Sequence, residues 1–284
     1  MLEWVLKRIF SFVILVVIIN VSRAELGGQR SATTIMNFLK MEIGARGSAM
    51  GGSYTAVAQG AEAVFWNPAG LSLMESSGAA VSYQTLPADL FIHSASFVYK
   101  LNDGYSFAVS WAQLSMDDME ITTIYHPEGN GSFFQYKNSF ISLSLSRKFT
   151  DQFSFGINGK FLKEDYGVDG IDSKGYAIDL GTLYYTGFKS LRLGSSLSNF
   201  GPNIRPQGSY EYKNQEGVPV KEDYDDFPLP TVFKLSAAME LIDLPMQKFT
   251  ASIQMNHPVD NAENFQMGCE YSFHHTLFSD KISL

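Results

Sequence analysis

Residues 139–146 read SFISLSLS, in which Ile141, Leu143 and Leu145 are separated by serines. Successive side chains of a β-strand point to opposite faces, so this stretch has one apolar face and one polar face. The same period of two recurs in residues 152–161 and 265–273. The pattern predicts strands that separate an apolar surrounding from a polar interior.

The alternation predicts ten strands, near residues 78–85, 90–101, 104–114, 138–149, 152–164, 173–186, 190–200, 230–242, 247–257 and 263–274. Tight turns alternate with longer polar connections between them. The tight turns are residues 102–104, 150–151, 187–189 and 243–247, and the longer connections are residues 87–89, 115–137, 165–172, 201–229 and 257–263. This alternation is typical of an all-β, antiparallel up-and-down outer-membrane barrel, with short periplasmic turns and long outer loops.

Composition limits the other classes of protein. The 284 residues are 45% hydrophobic and 18% charged, which is enough apolar material for a large folded domain. The net charge of −8, without a basic block, argues against nucleic acid as a partner. The single cysteine, Cys269, excludes an internal disulfide and a multi-cysteine metal site.

The first 24 residues have the pattern of a signal peptide. Lys7 and Arg8 precede an apolar run, and small residues at positions 22 and 24 fit a signal-peptidase site. We expect cleavage after Ala24, export, and insertion into the outer membrane. The chain is therefore divided into residues 1–24 (signal peptide), residues 25–77 (an N-terminal segment) and residues 78–284 (the strands).

The N-terminal segment is rich in glycine and alanine. A short helix is predicted at residues 32–41, where Ile35, Phe38 and Leu39 repeat at helical spacing. Two motifs follow it: residues 44–58 read GARGSAMGGSYTAVA, and residues 63–71 read AVFWNPAGL. The glycines allow backbone to approach backbone closely, as a segment folded into a barrel requires.

These two motifs resemble the N-terminal signature of the PorV/PorQ-type outer-membrane proteins, which are similar to the FadL-like fatty-acid transporters. The residues that carry the resemblance are Gly44, Arg46, Gly47, Gly51, Gly52, Asn67, Pro68 and Gly70. The resemblance implies a barrel of about fourteen strands whose N-terminal segment folds inward as a plug. It also implies passage of hydrophobic molecules, such as fatty acids, or a role in a type IX-like secretion machine.

Strand arithmetic predicts an incomplete barrel. Residues 78–284 provide ten strands, about four fewer than the resemblance implies, and residues 277–284 have the pattern of the start of an eleventh. We therefore expect a C-terminally truncated member of the family. Its curved sheet should have unpaired first and last strands, and it should have little independent activity.

Three charged residues fall on the polar face of the predicted strands: Lys160, Asp179 and Glu270. Charges are costly against lipid, so we expect these three in the lumen. Arg46 of the signature could pair with Asp179 or Glu270, or it could remain a solvated lumenal charge.

Two functions from different classes stay open. One is a transport barrel, in which the inward segment gates a hydrophobic ligand. The other is a protein-binding barrel, in which the long loops at residues 114–137 and 201–228 dock a secretion partner or cargo. A secreted or periplasmic all-β binding module is the alternative to a barrel in outer-membrane lipid.

No enzymatic activity, cofactor or metal site is expected. No nucleophile-elbow or nucleotide-binding motif is present, so no catalytic residue is assigned. The acidic residues at positions 222–226 lack the spacing of a calcium loop and are interpreted as solvated. His274 and His275 are adjacent in a predicted strand and would point to opposite faces.

Overall fold

The computed structural model describes residues 33–101, 104–168, 170–214 and 217–273. The predicted signal peptide, His274, His275 and the predicted eleventh strand lie outside the described residues. The strands are β1 (Gly78–Leu86), β2 (Leu90–Lys100), β3 (Tyr105–Met116), β4 (Met119–Glu120), β5 (Phe133–Phe134), β6 (Lys137–Lys148), β7 (Phe153–Asp165), β8 (Asp172–Tyr185), β9 (Arg192–Phe200), β10 (Ser209–Lys213), β11 (Pro219–Asp223), β12 (Val232–Leu244), β13 (Gln247–Pro258) and β14 (Asn264–Phe273).

Ten of these strands form one antiparallel sheet in the order β1-β2-β3-β6-β7-β8-β9-β12-β13-β14. Strands that are neighbours in the sheet are also consecutive long strands of the chain, so the predicted up-and-down fold class is confirmed. The ten predicted strands all occur, with ends that differ from the prediction by at most about two residues. Within the described residues, β1 and β14 are the two edges of the sheet and do not pair with each other, as expected.

Two expectations about the connections and the N-terminus need correction. The long connections at residues 115–137 and 201–229 contain strand pairs of their own, β4 with β5 and β10 with β11. The helix predicted at residues 32–41 is reduced to a single 3₁₀ turn, Asn37–Lys40, preceded by Met36 in the left-handed region. The apolar spacing at residues 35–39 reflects packing against the sheet rather than a helical face.

The sheet buries polar side chains and exposes apolar ones, which is the opposite of a soluble protein. In β6, Ser142, Ser144 and Ser146 are each only 1% exposed, whereas Leu143 between them is 56% exposed. Large apolar side chains cover the outside along all ten strands. Lipid is the surrounding that makes such a face favourable.

Aromatic side chains concentrate near both ends of the strands on the outward face. One band, near the long connections, comprises Tyr83, Phe161, Tyr176, Phe200, Phe233 and Phe265. The other, near the tight turns, comprises Tyr99, Phe107, Phe153, Tyr184, Tyr271 and Phe273. Aliphatic residues such as Leu143 and Ile157 lie between the bands. Two aromatic bands flanking an aliphatic zone are typical of the two membrane interfaces.

The concave face of the sheet encloses residues 34–74, which we call the inner segment. After the 3₁₀ turn it contains an α-helix, Ala45–Ala49, and two further 3₁₀ helices, Ala61–Phe65 and Pro68–Leu73. Tyr54, Trp66 and Leu71 are almost completely buried between this segment and the strands. Among the helices of the described residues, none has the length and apolar character needed to cross a membrane.

Glycines in the strands let the inner segment approach the sheet. Four of them would place an added Cβ less than 3 Å from atoms of the inner segment: Gly156, Gly181, Gly194 and Gly268. A Cβ added to Gly156 would lie 2.4 Å from the carbonyl carbon of Pro68, and one added to Gly268 would lie 2.2 Å from the carbonyl oxygen of Met50. Side chains at these positions would displace the inner segment, because backbone atoms have no alternative rotamer.

Gly156→Ala and Gly159→Ala, in the same strand, test this contact. Gly159 faces outward, and no atom lies within 4 Å of an added Cβ. We expect Gly156→Ala to reduce the yield of heat-modifiable folded protein and to expose the inner segment to protease, at a cost of about 1–3 kcal/mol. Gly159→Ala should behave as wild type. Equal effects of the two substitutions would contradict the proposed packing.

Candidate functional site: the filled interior

Asn67 connects the inner segment to the wall of the sheet. It is fully buried and caps the 3₁₀ helix Pro68–Leu73, with Oδ1 accepting a hydrogen bond from Ala69 N at 3.1 Å. Its Nδ2 donates to the carbonyl oxygens of Thr55, at 2.9 Å, and Thr182, at 3.0 Å. Pro68 fits the first helical position because that position needs no N–H donor. The amide therefore joins two parts of the inner segment to β8.

Asn67→Ala should destabilise the folded protein by about 2–4 kcal/mol, since it removes all three hydrogen bonds of a buried side chain. Denaturant unfolding of the chain refolded in detergent measures this. Asn203→Ala, in an exposed loop position, is the matched control and should be neutral. A neutral result for Asn67→Ala would refute its connecting role.

Arg46 lies against Glu270 rather than Asp179. Arg46 Nε and Nη2 each donate to one carboxylate oxygen of Glu270, both at 2.7 Å. This two-bond geometry fixes the orientation of both side chains. The guanidinium also lies 5.5 Å from the centre of the Tyr54 ring. Together these contacts hold the helix Ala45–Ala49 against β14.

Asp179 instead pairs with Lys160 across the inward faces of β7 and β8. Lys160 Nζ lies 2.7 Å from Asp179 Oδ2 and donates to Asn199 Oδ1 at 2.8 Å. Asn158 Nδ2, at 2.9 Å, and the backbone N–H of Asn199, at 2.7 Å, also donate to this carboxylate. The buried pair thus has hydrogen-bond partners on every side, which offsets the cost of removing its charges from water.

The signature glycines serve close contacts and turns within the inner segment. A Cβ on Gly47 would lie 2.2 Å from Cζ2 of Trp66, so only glycine allows the indole to lie flat against the helix. Trp66 Nε1 then donates to the carbonyl oxygen of Ile43 at 2.7 Å. Gly70 packs against the Ala58 carbonyl. The remaining signature glycines, Gly44, Gly51 and Gly52, have positive φ angles.

Several polar wall residues of the site were not identified from the sequence. Arg192 Nε donates to the Ala56 carbonyl at 2.8 Å, and its Nη1 lies 2.6 Å from Glu240 Oε1. Gln254 Oε1 accepts from Thr55 N at 3.1 Å. Arg192, Glu240 and Gln254 occupy inward-facing strand positions. The alternation that identified Lys160 could therefore also have identified these three residues.

The beginning of the inner segment is held at the end of the sheet that carries the long connections. Thr34 Oγ1 donates to Asp260 Oδ2 at 2.7 Å, and Lys40 forms an ion pair with the same oxygen. The backbone N–H of Met36 donates to Glu164 Oε2 at 3.3 Å, and Ile35 N donates to the Pro228 carbonyl at 3.1 Å. Residues 34–40 therefore contact three of the long connections or the strand ends beside them.

Asp260 makes this contact sensitive to acid. Burial alone would raise the pKa of Asp260, but the hydrogen bonds from Lys40 and Thr34 outweigh it, and the pKa lies below its usual value of 3.8. Because the pKa is lowered in the folded state, the stabilisation is present above pH 3.8 and is lost as the pH falls through the folded-state value. Hydrogen exchange should show faster opening of residues 34–40 in that acidic range.

Asp260→Asn should remove the part of this pH dependence that Asp260 causes and should raise the opening rate at neutral pH. The acidic loop residue Glu128, exposed and remote from Asp260, provides the control substitution Glu128→Gln. An unchanged pH profile in Asp260→Asn would mean that another carboxylate controls the contact.

A cavity of about 240 Å³ lies between residues 39–43 and the inward faces of β7, β9, β12, β13 and β14. Its lining includes Lys234, whose Nζ lies 5.5 Å from the Trp66 ring, and Glu42. Burial raises the pKa of Glu42, and the nearby Lys234 partly opposes that rise. Among the described residues, no group of three or more His, Cys, Asp or Glu side chains is arranged to hold a metal ion.

Comparison with known families identifies the chain. The family model for the type IX secretion system protein PorV matches residues 24–260, which include the signature, the inner segment and nine of the ten long strands. The chain belongs to the PorV family. This membership and the apolar outward face together support an outer-membrane location for this PorV-family protein.

Solved structures with similar architecture are more distant. OmpT, an outer membrane protein of Vibrio cholerae, has 11% identity over 71% of this chain and 62% of its own, with a TM-score of 0.41. A deletion mutant of TodX, a monoaromatic hydrocarbon channel, has 15% identity over 81% of this chain and 75% of its own, with a TM-score of 0.48. Scores below 0.5 do not establish a common fold, so the assignment stands on the family match. No curated protein sequence matches the chain.

Proposed function

We propose that this PorV-family protein is a plugged outer-membrane component of a type IX secretion machine that recognises a protein partner through its long connections. The family match over residues 24–260 carries the proposal. The proposed role is one of binding, without enzymatic chemistry. We also propose that the chain reaches the membrane through a cleaved signal peptide at residues 1–24.

The outward face of the sheet supports membrane insertion over the alternative of a secreted or periplasmic binding module. A soluble module would have to expose the aliphatic zone and both aromatic bands to water. Inside a bilayer the same surface is buried in lipid, and the aromatic bands lie at the headgroup levels.

The long connections offer surfaces suited to protein binding. Ile124 and Tyr125, at the tip of the connection between β4 and β5, are 89% and 82% exposed. In the hairpin β10–β11, the rings of Tyr210 and Tyr212 stack at 5.9 Å, and Tyr224 lies 5.4 Å from Tyr210. Exposed aromatic groups held on short hairpins are typical anchors of protein interfaces.

The filled interior favours partner binding over passage of hydrophobic molecules. The inner segment occupies the lumen, and the surrounding strand faces are polar, with the ion pairs Lys160–Asp179 and Arg192–Glu240 among them. A fatty acid or other apolar ligand would need the inner segment to move and would then meet charged walls. Copurification of a lipid would therefore indicate transport rather than partner binding.

Affinity purification of the tagged full chain from native outer membranes tests the proposal. Quantitative mass spectrometry of proteins and lipids should find a protein partner in near-stoichiometric amount. The double substitution Ile124→Ser, Tyr125→Ser should reduce its recovery about tenfold or more, because exposed apolar anchors contribute roughly 1–2 kcal/mol each.

The matched control is Thr122→Ser, in the same connection, which should leave recovery unchanged. Heat-modifiability on gels shows that each variant is folded. Copurification of an apolar ligand without a protein partner would overturn the secretion role and favour transport. Equal recovery of a protein partner from all three chains would exclude binding through Ile124 and Tyr125.

A further inference from the structure

Five charged residues line the 240 Å³ cavity, and two of them, Lys234 and Glu42, have opposite charges and form no ion pair with each other or with the other three. Among the described residues, the ion pairs within 4.0 Å include Lys40–Asp260 and Lys160–Asp179, but none involves Lys234 or Glu42. Lys234 Nζ lies 5.5 Å from the centre of the Trp66 ring. Glu42 accepts a long hydrogen bond, 3.3 Å, from Gln266 Nε2 and a second hydrogen bond from the Ser48 side chain, but no cation in the described part of the chain contacts it.

Lys234 and Glu42 attract each other across the cavity, but neither is neutralised by a direct ion pair. Both side chains are half-buried, so each has lost part of its hydration without gaining an ion pair. A group that presents an anion to Lys234 and a cation to Glu42 would make charge-assisted hydrogen bonds to both. A molecule with only one charge would satisfy one side chain and be repelled by the other.

The rest of the lining can recognise polar groups and a short apolar part. Asn256 and Gln266 line the cavity, and Gln266 Oε1 accepts from Asn256 Nδ2 at 2.9 Å. Gln254, outside the lining, donates to the same oxygen at 3.1 Å. Ile43 and Trp66 supply the opposite, apolar wall. The volume equals that of about eight water molecules, which suits a ligand of roughly ten non-hydrogen atoms.

We propose that this cavity binds a small zwitterion of the free amino acid type, with its carboxylate on Lys234 and its ammonium group on Glu42. The site lies between the inner segment, which contributes Glu42 and Trp66, and the wall, which contributes Lys234 and the amides. A bound ligand would therefore bridge the inner segment and the sheet. The proposal is independent of the secretion role.

Calorimetric titration of the full chain, refolded in detergent, tests the site with L-glutamine as the probe. We expect saturable binding of L-glutamine. L-glutamine amide, which lacks the carboxylate, and N-acetyl-L-glutamine, which lacks the ammonium group, should each bind roughly 10- to 100-fold more weakly. Phosphoethanolamine, a zwitterion with a phosphate, distinguishes a lipid headgroup from a free amino acid as the ligand.

Substitutions of Lys234 and Glu42 provide the second part of the test. Lys234→Met should weaken L-glutamine binding roughly 10- to 100-fold, and Lys234→Arg should largely restore it. Glu42→Gln should weaken L-glutamine and strengthen N-acetyl-L-glutamine, because the repulsion of the second charge is removed. Lys163→Met is the control, since Lys163 lies on the outward face of the same sheet and does not line the cavity.

The proposal is overturned by any of three results: no heat with L-glutamine at millimolar concentration, equal effects of Lys234→Met and Lys163→Met, or preference for phosphoethanolamine. The first result would mean that water fills the cavity. If Lys234→Met does not fold, the amide and N-acetyl probes on the wild-type chain test the same two charges from the side of the ligand.

Discussion

The structure depends on one requirement, that the polar inward face of the sheet must find hydrogen-bond partners away from bulk water. A strand whose apolar residues face lipid necessarily presents its alternate residues to the interior. In this protein those residues include serines, amides and charged side chains. The inner segment meets the requirement with its backbone: carbonyl groups of Ala56, Ala61 and Ala69 accept hydrogen bonds from wall side chains.

The same requirement explains why the glycine-rich signature and the wall glycines belong together. The backbone of the inner segment can bond to wall side chains only if it lies close to the strands, and a Cβ at Gly156 or Gly268 would prevent that approach. Within the segment, Gly47 and Gly70 bring its turns close to one another in the same way. Glycine on both sides of the contact therefore sets the distance at which Asn67 can reach Thr182.

The sequence predicted the fold well because its main signal is strictly local. Alternation along residues 139–146 and in the other long strands requires no knowledge of the partner strand, and the ten strand positions followed from it. The short pairs β4–β5 and β10–β11 were missed because two to five residues give too little periodicity. The helix predicted at residues 32–41 failed because tertiary packing of Phe38 overrode its local spacing.

The site was predictable only in part, for a different physical reason. Inward orientation of Lys160, Asp179 and Glu270 follows from strand parity, but parity does not specify which charge meets which across a curved sheet. Arg46 could reach either acid until the register of β14 against β13 brought Glu270 opposite Thr250. The cavity is harder still to predict from sequence, because Glu42 and Lys234 are 192 positions apart and only the folded inner segment brings both to one lining.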